Sequence, residues 1–346
     1  MRNIFLKSFF FLLLNLSLLA GAGATGKGAS AATAGTAPES AEAGKKDSLW
    51  EFASSAADVV VYFNTKQAEI AMDKKLWQRI QKDKNKAVAA NPDAQFFDLK
   101  NRDMEMVANI YLYSVVPLKA SIEGIANITG DVRGDIKKLL NTLSQEGGGK
   151  PEINKQGGLS KYKFSMPAVE TLPPADIMFV PINNNQIQFR INLAPQQKMP
   201  QPLLSSPQGN FQLLTGDSPE EQSFVFAANL SKILSSPLMQ TPKGQAFGAH
   251  IKNMRSVCIY GKVQHKHLLV TGNFAFSGPA EAGPFVQLVS GIVQQFNSQF
   301  GPRKTPFIRL QGNVVQVTGK IDIADAWKKI TQGVRPSPRR SSPVRK

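Results

Sequence analysis

The sequence predicts an α+β protein made of two tandem ferredoxin-like modules, each a βαββαβ unit with one further hairpin strand, with antiparallel sheets and helices on one face. Three observations predict it. Alternating apolar runs and amphipathic helical runs succeed one another in the order β-α-β-β-α-β between residues 50 and 195. The same order recurs between 219 and 331, and a Pro-rich stretch, 196–218, separates the two. Each sheet then has a bare face, and the simplest cover for it is the other module.

The chain opens with Arg2 and Lys7 ahead of an apolar run from Phe9 to Ala20, succeeded by the small residues Ala20 to Ala24. This is the pattern of a secretory signal peptide over residues 1–24. Gly21, Gly23 and Gly26 also satisfy a dinucleotide-loop spacing, but such a loop must open a helix whose free N–H groups hold the anion. Residues 25–49 are instead rich in Ala, Gly, Ser and Thr, have no apolar stripe and read as a disordered linker. A nucleotide enzyme is thereby disfavoured, and an exported protein, periplasmic or extracellular, is expected.

In the first module, 58–64 alternates Val59, Val61 and Phe63 as a strand, and a helix between Lys66 and Ala90 carries Ile70, Leu76, Trp77 and Ile80. Strands over 107–115 and 118–127 come next. The helix 131–145 presents Val132, Ile136, Leu139, Leu140 and Leu143 on one face, behind Asp131 as N-cap. A hairpin over 176–193 turns at Asn183 to Asn185. The second module matches with a strand over 223–229, a helical stretch broken by Pro237 and Pro242, and strands over 256–263 and 268–276. A helix over 280–296 and a hairpin turning at Gly312-Asn313 complete it, and Asp322 or Asp325 caps a last helix. The order reads as a divergent internal duplication. This order, an exported chain whose repeated unit begins with a short apolar strand and an "LW" or "SPLM" helix, resembles a loose group of uncharacterised secreted bacterial proteins. The resemblance covers most of residues 57–330 and implies no particular chemistry.

Composition bounds the function further. A formal net charge of +16 over 346 residues predicts attraction to anionic partners, and export makes nucleic acid an improbable one. Cys258 is the single cysteine, so an internal disulfide is excluded and stability must come from core burial. Once the leader is removed, no further run reaches membrane-spanning length.

No set of residues converges on catalysis, and no cofactor or metal site is expected. His265 and His267 point the same way at a predicted hairpin tip but make only two ligands, and His250 is not spaced to join them. Cys258, within "SVCIYG", reads as a packed strand residue rather than a thiolate. The carboxylates Glu123, Asp131, Asp135, Asp322 and Asp325 are available for a glycosidase-like pair, but their placement is ordinary, with Asp131 and Asp322 or Asp325 as helix caps.

Two segments are candidates for binding. Between its second helix and closing hairpin the first module carries a long insertion in which Lys150, Lys155, Lys161 and Lys163 interleave with Tyr162 and Phe164, a composition that could hold an anionic or ring-bearing ligand by charge and stacking. The C-terminal stretch 332–346 carries Arg335, Arg339, Arg340, Arg345 and Lys346 with no acid. It reads as a disordered basic tail able to contact an anionic envelope surface or polymer. The sequence reading is therefore an exported, non-enzymatic binding or envelope-associated structural protein of unknown ligand. A secreted hydrolase with an unrecognised active site and an anionic-polymer binder are the alternatives.

Overall fold

The computed structural model describes, in the main, residues 49–80, 103–145, 151–193, 219–240 and 251–325, with gaps at 55, 115–117, 157–158, 167, 169–172, 252 and 301–306. The first half contributes β1 (Val59–Asn64), α1 (Thr65–Ala71), β2 (Met104–Ser114), β3 (Lys119–Ile128), α2 (Val132–Gln145), β4 (Glu152–Gln156), β5 (Leu159–Met166), β6 (Ala175–Pro181) and β7 (Gln186–Asn192). The second contributes β8 (Phe224–Asn229), α3 (Ser231–Leu234), β9 (Met254–Gln264), β10 (His267–Phe276), α4 (Pro279–Phe300), β11 (Phe307–Gln311) and β12 (Val314–Asp322).

All twelve strands lie in one antiparallel sheet, in the order β11-β12-β10-β9-β8-β1-β2-β3-β7-β6-β5-β4. This corrects the expected pair of ferredoxin-like modules with separate sheets. The opening strands of the two halves pair edge to edge, Val59 with Ala228 and Val61 with Phe226, so each satisfies the other's backbone groups and no pair of sheets is left to stack. Nor is there a split βαβ unit. After β1 the chain returns antiparallel as β2, Val59 opposite Ile110, with no crossover to a parallel neighbour.

The segment expected to be a crossover helix runs elsewhere. Asn64 caps α1 by accepting from the Gln67 N–H at 3.0 Å, and the chain then breaks at Met72 before a second helical stretch over 74–80. At the break it clasps the turn between β9 and β10 in the other half. The His265 N–H donates to the Ala71 carbonyl at 2.7 Å, and the His265 carbonyl accepts from the Asp73 N–H at 2.9 Å. His265 holds a left-handed backbone there, with φ of 54°, a conformation histidine enters more readily than most side chains.

Alternation along each strand sorts the apolar residues onto two faces. On one face α2 lays Val132, Ile136 and Leu140 over Met106, Ala108, Ile122, Ile177 and Phe189. On the same face α4 sets Phe285 against Phe274 and Phe276, with ring centroids 4.9 and 5.3 Å apart. The seam between the halves is filled there by Val59, Val61, Ala228 and Val257. The centre of the opposite face is apolar, and there Val60, Tyr62, Val107, Val225, Ala227, Cys258 and Tyr260 are sealed by a 3-10 turn, Leu49–Phe52. Leu49 and Trp50 are both 2% exposed, and the Trp50 ring meets Tyr62 edge-on at 5.8 Å. Asn109 pins this plug, accepting from the Ser54 N–H and donating to the Phe52 carbonyl, each at 2.8 Å.

Candidate functional site

Beyond that central plug, the face opposite the helices carries its best-defined polar stretch in the ladder between β3 and β7. The register sets Ser121 beside Asn192, Glu123 beside Arg190, Ile125 beside Gln188 and Asn127 beside Gln186. The intervening residues Ile122, Ala126, Ile187, Phe189 and Ile191 point into the core under α2, which fixes which side chains the ladder presents. Glu123 is buried next to the plug, with the Arg190 Nε 2.9 Å from its Oε1 as an ion pair without the alignment of a hydrogen bond. Burial raises the Glu123 carboxyl above the usual glutamate range, and the Arg190 charge only partly offsets it. Burial also raises the phenols of Tyr111 and Tyr113 at the edge of the same patch.

At the end of the ladder lies a cleft of about 540 Å³ lined by Asn127, Arg133, Ile182, Asn183, Asn184, Asn185 and Gln186. Its shape comes from the β6–β7 turn folding onto the start of α2. Asn183 Oδ1 accepts from the Asn185 N–H at 2.8 Å, Ile128 N–H donates to the Asn185 carbonyl at 2.7 Å, and Val132 N–H donates to the Asn184 carbonyl at 3.0 Å. Asp131 Oδ1 takes the Gly134 N–H at 3.0 Å, and Gln186 Nε2 donates to Asn127 Oδ1 at 2.9 Å. The Val132 and Gly134 N–H groups of the first helical turn are thus already engaged. What the cleft offers is side-chain chemistry: among the described residues, no hydrogen bond or ion pair engages the Arg133 guanidinium or the Asn184 and Asn185 carboxamides. Carboxamides donate and accept together, as paired hydroxyls require, and a guanidinium fits a carboxylate or phosphate in two-point fashion.

The residues singled out by sequence fall mostly elsewhere. The lysine-aromatic insertion is the hairpin β4–β5, which widens the sheet by two strands. Tyr162 and Phe164 are 7% and 2% exposed in the core beneath α2, so neither ring is presented for stacking. Lys161 and Lys163 lie on the other side of the strand, Lys163 with its Nζ 4.0 Å from Asp176, and Lys155 is exposed on β4. Lys150, His250, the leader 1–24, the linker 196–218 and the tail with Arg335, Arg339, Arg340, Arg345 and Lys346 lie outside the described residues. Cys258 is fully buried, and burial pushes its thiol up to about 12. Among the described residues no three His, Cys, Asp or Glu side chains gather to hold a metal, and no helix is long and apolar enough to cross a membrane.

Sequence reasoning read Asn183 to Asn185 only as a turn and did not single out Arg133. The cleft arises because β3 and β7 pair and so bring together the segment after one and the segment before the other. Three consecutive asparagines, Asn183 to Asn185, were the available signal.

No family model matches the chain, and no curated protein matches it. Among solved structures it is similar to TP0453. Crystal form III of that protein matches at 13% identity and a TM-score of 0.46, over 83% of this chain and 99% of that one. Crystal form I matches at 14% identity and a TM-score of 0.41, over 83% and 97% of the two chains.

Proposed function

We propose that this is an exported, non-enzymatic binding protein of the bacterial envelope, and that its ligand is an acidic, hydroxyl-rich saccharide unit seated in the cleft at the end of the β3–β7 ladder. The lining of the cleft is the observation that supports the reading: one guanidinium and five carboxamide side chains where two paired strands end. Such a set suits a sugar carrying a carboxylate or phosphate better than an apolar or cationic ligand. The formal charge of +16 draws a polyanion toward the surface before the cleft engages it. Export rests on the leader pattern of residues 1–24. The mirrored strand order, β1-β2-β3-β7-β6 on one side of the seam and β8-β9-β10-β12-β11 on the other, supports reading the halves as copies of one ancestral unit.

The test is retention of the chain without its leader, residues 25–346, on a polyuronate compared with a neutral glucan, by affinity electrophoresis and calorimetry. The polyuronate should bind and the glucan should not. Arg133→Ala should weaken binding about tenfold or more, the usual loss for a hydrogen-bonded charge. Undiminished binding by Arg133→Ala and by the Asn184→Ala, Asn185→Ala double variant overturns the cleft. Loss of binding on deleting residues 333–346 instead assigns the polyanion to the basic tail.

A further inference from the structure

The two halves differ at their outer edges, and the difference shows what one of them lacks. In the first half, β6 is covered by β5, with Phe164 opposite Ile177 and Tyr162 opposite Phe179. Its counterpart in the second half is β11, which pairs with β12 as β6 does with β7. Among the described residues nothing pairs with the outer side of β11, and Phe307 and Leu310 are 64% and 47% exposed. At the far end of the sheet β4 is also paired on one side only among the described residues, and its Ile153 is 58% exposed. A strand edge in this state is a template for another strand.

We propose that β11 of one molecule takes β4 of a second copy as its missing neighbour, joining copies end to end through one continuous sheet. The alternation of the two strands fits. On β11, Ile308 and Leu310 lie on the helix-bearing face and Phe307 and Arg309 on the other; on β4, Ile153 lies on the helix-bearing face and Glu152 and Asn154 on the other. An antiparallel register that sets Ile153 against Ile308 also sets Glu152 against Arg309, an apolar pair beside an opposite-charge pair. β11 is a poor partner for itself, because the strand holds Arg309 and no acid, so a two-fold pairing brings together like charges with nothing to offset them. β4 brings the carboxylate. Since the contact joins different surfaces it does not close on itself, and each addition leaves a free β11 and a free β4 at the two ends. In this register three residues a side, 152–154 and 307–309, pair within the two strands, so the interface is small and assembly is concentration-dependent.

The experiment is sedimentation velocity on residues 25–346 over a concentration series reaching about 100 μM, a range suited to an interface this small. Wild type should add mass progressively, with no limiting dimer. Ile153→Lys and Leu310→Lys, both at exposed positions and checked for native circular dichroism, should each remain monomeric alone. Mixed in equal amounts they should form a dimer that grows no further, because the intact β11 of I153K meets the intact β4 of L310K. A monomeric wild type at every concentration, a dimer of I153K alone, or assembly unchanged in L310K would each overturn the proposal. The cleft lies on neither outer strand, so polyuronate binding by the two variants stays as in wild type and the two readings fail independently.

Discussion

Replacing Trp50 by alanine tests whether the plug holds the two halves together. The side chain is 2% exposed and sits over the residues that line the seam, including Tyr62 from the first half and Val225, Ala227 and Cys258 from the second. A buried tryptophan removes up to about 250 Å² from water, which at about 25 cal/mol per Å² is about 6 kcal/mol as an upper bound. Residual compactness of the unfolded chain lowers that by about 10–40%, and the alanine methyl recovers a little, leaving about 3–5 kcal/mol. Urea denaturation monitored by circular dichroism reads the loss directly. At a slope of about 3 kcal/mol per M the midpoint should fall by at least about 1 M. Because Cys258 belongs to the other half yet shares the cluster, its reaction with a thiol reagent in the native protein should accelerate in W50A. A loss under about 1 kcal/mol, or a Cys258 rate that stays at the wild-type value, would refute the idea that this turn closes the seam.

Glu123→Gln should remove one component of the pH dependence of stability. The folded-state carboxyl is raised by burial, so its contribution is fully present below pH 4.5 and is lost as pH rises through the folded pKa. The stability of wild type relative to E123Q, compared by denaturant midpoints from pH 4 to 8, should therefore decline with rising pH; a constant difference would remove the cause assigned here. Gly124→Ala should cost about 1–3 kcal/mol, because a Cβ there would press on the Phe189 ring and lie 2.5 Å from the Val107 carbonyl oxygen. Thermal and urea midpoints check it, and an unchanged midpoint would show that the β2–β3–β7 packing yields more than its geometry allows.

Much of the local structure was legible. Apart from the β4–β5 hairpin, the strands and hairpins stand where alternation placed them, Asn183 to Asn185 and Gly312-Asn313 form turns, and the stretch around Pro237 is only a four-residue helix and a 3-10 turn. The assembly of the elements was not, although β1 carried a sign of it. Five consecutive apolar residues, Val59 to Phe63, bury both faces of that strand, which belongs in the middle of a sheet rather than at the start of a separate one. Reading only Val59, Val61 and Phe63 discards Val60 and Tyr62, the residues that meet the plug. In "KYKF" the strict alternation of Lys161, Tyr162, Lys163 and Phe164 already separates an outward pair from an inward pair, and it is the period of a strand, not of a binding loop. The cleft was out of reach because Arg133 and Asn184 become neighbours only through the register of β3 with β7, which no short-range pattern encodes.

The clasp of Ala71–Asp73 around His265 carries a last consequence. A strap thrown from one half over a bend of the other ties the two at a second place besides the pairing of β1 with β8, so cutting the chain between them strips hydrogen-bond partners from both: the first loses the anchor for its arm, and the second loses the hand that grips its tip.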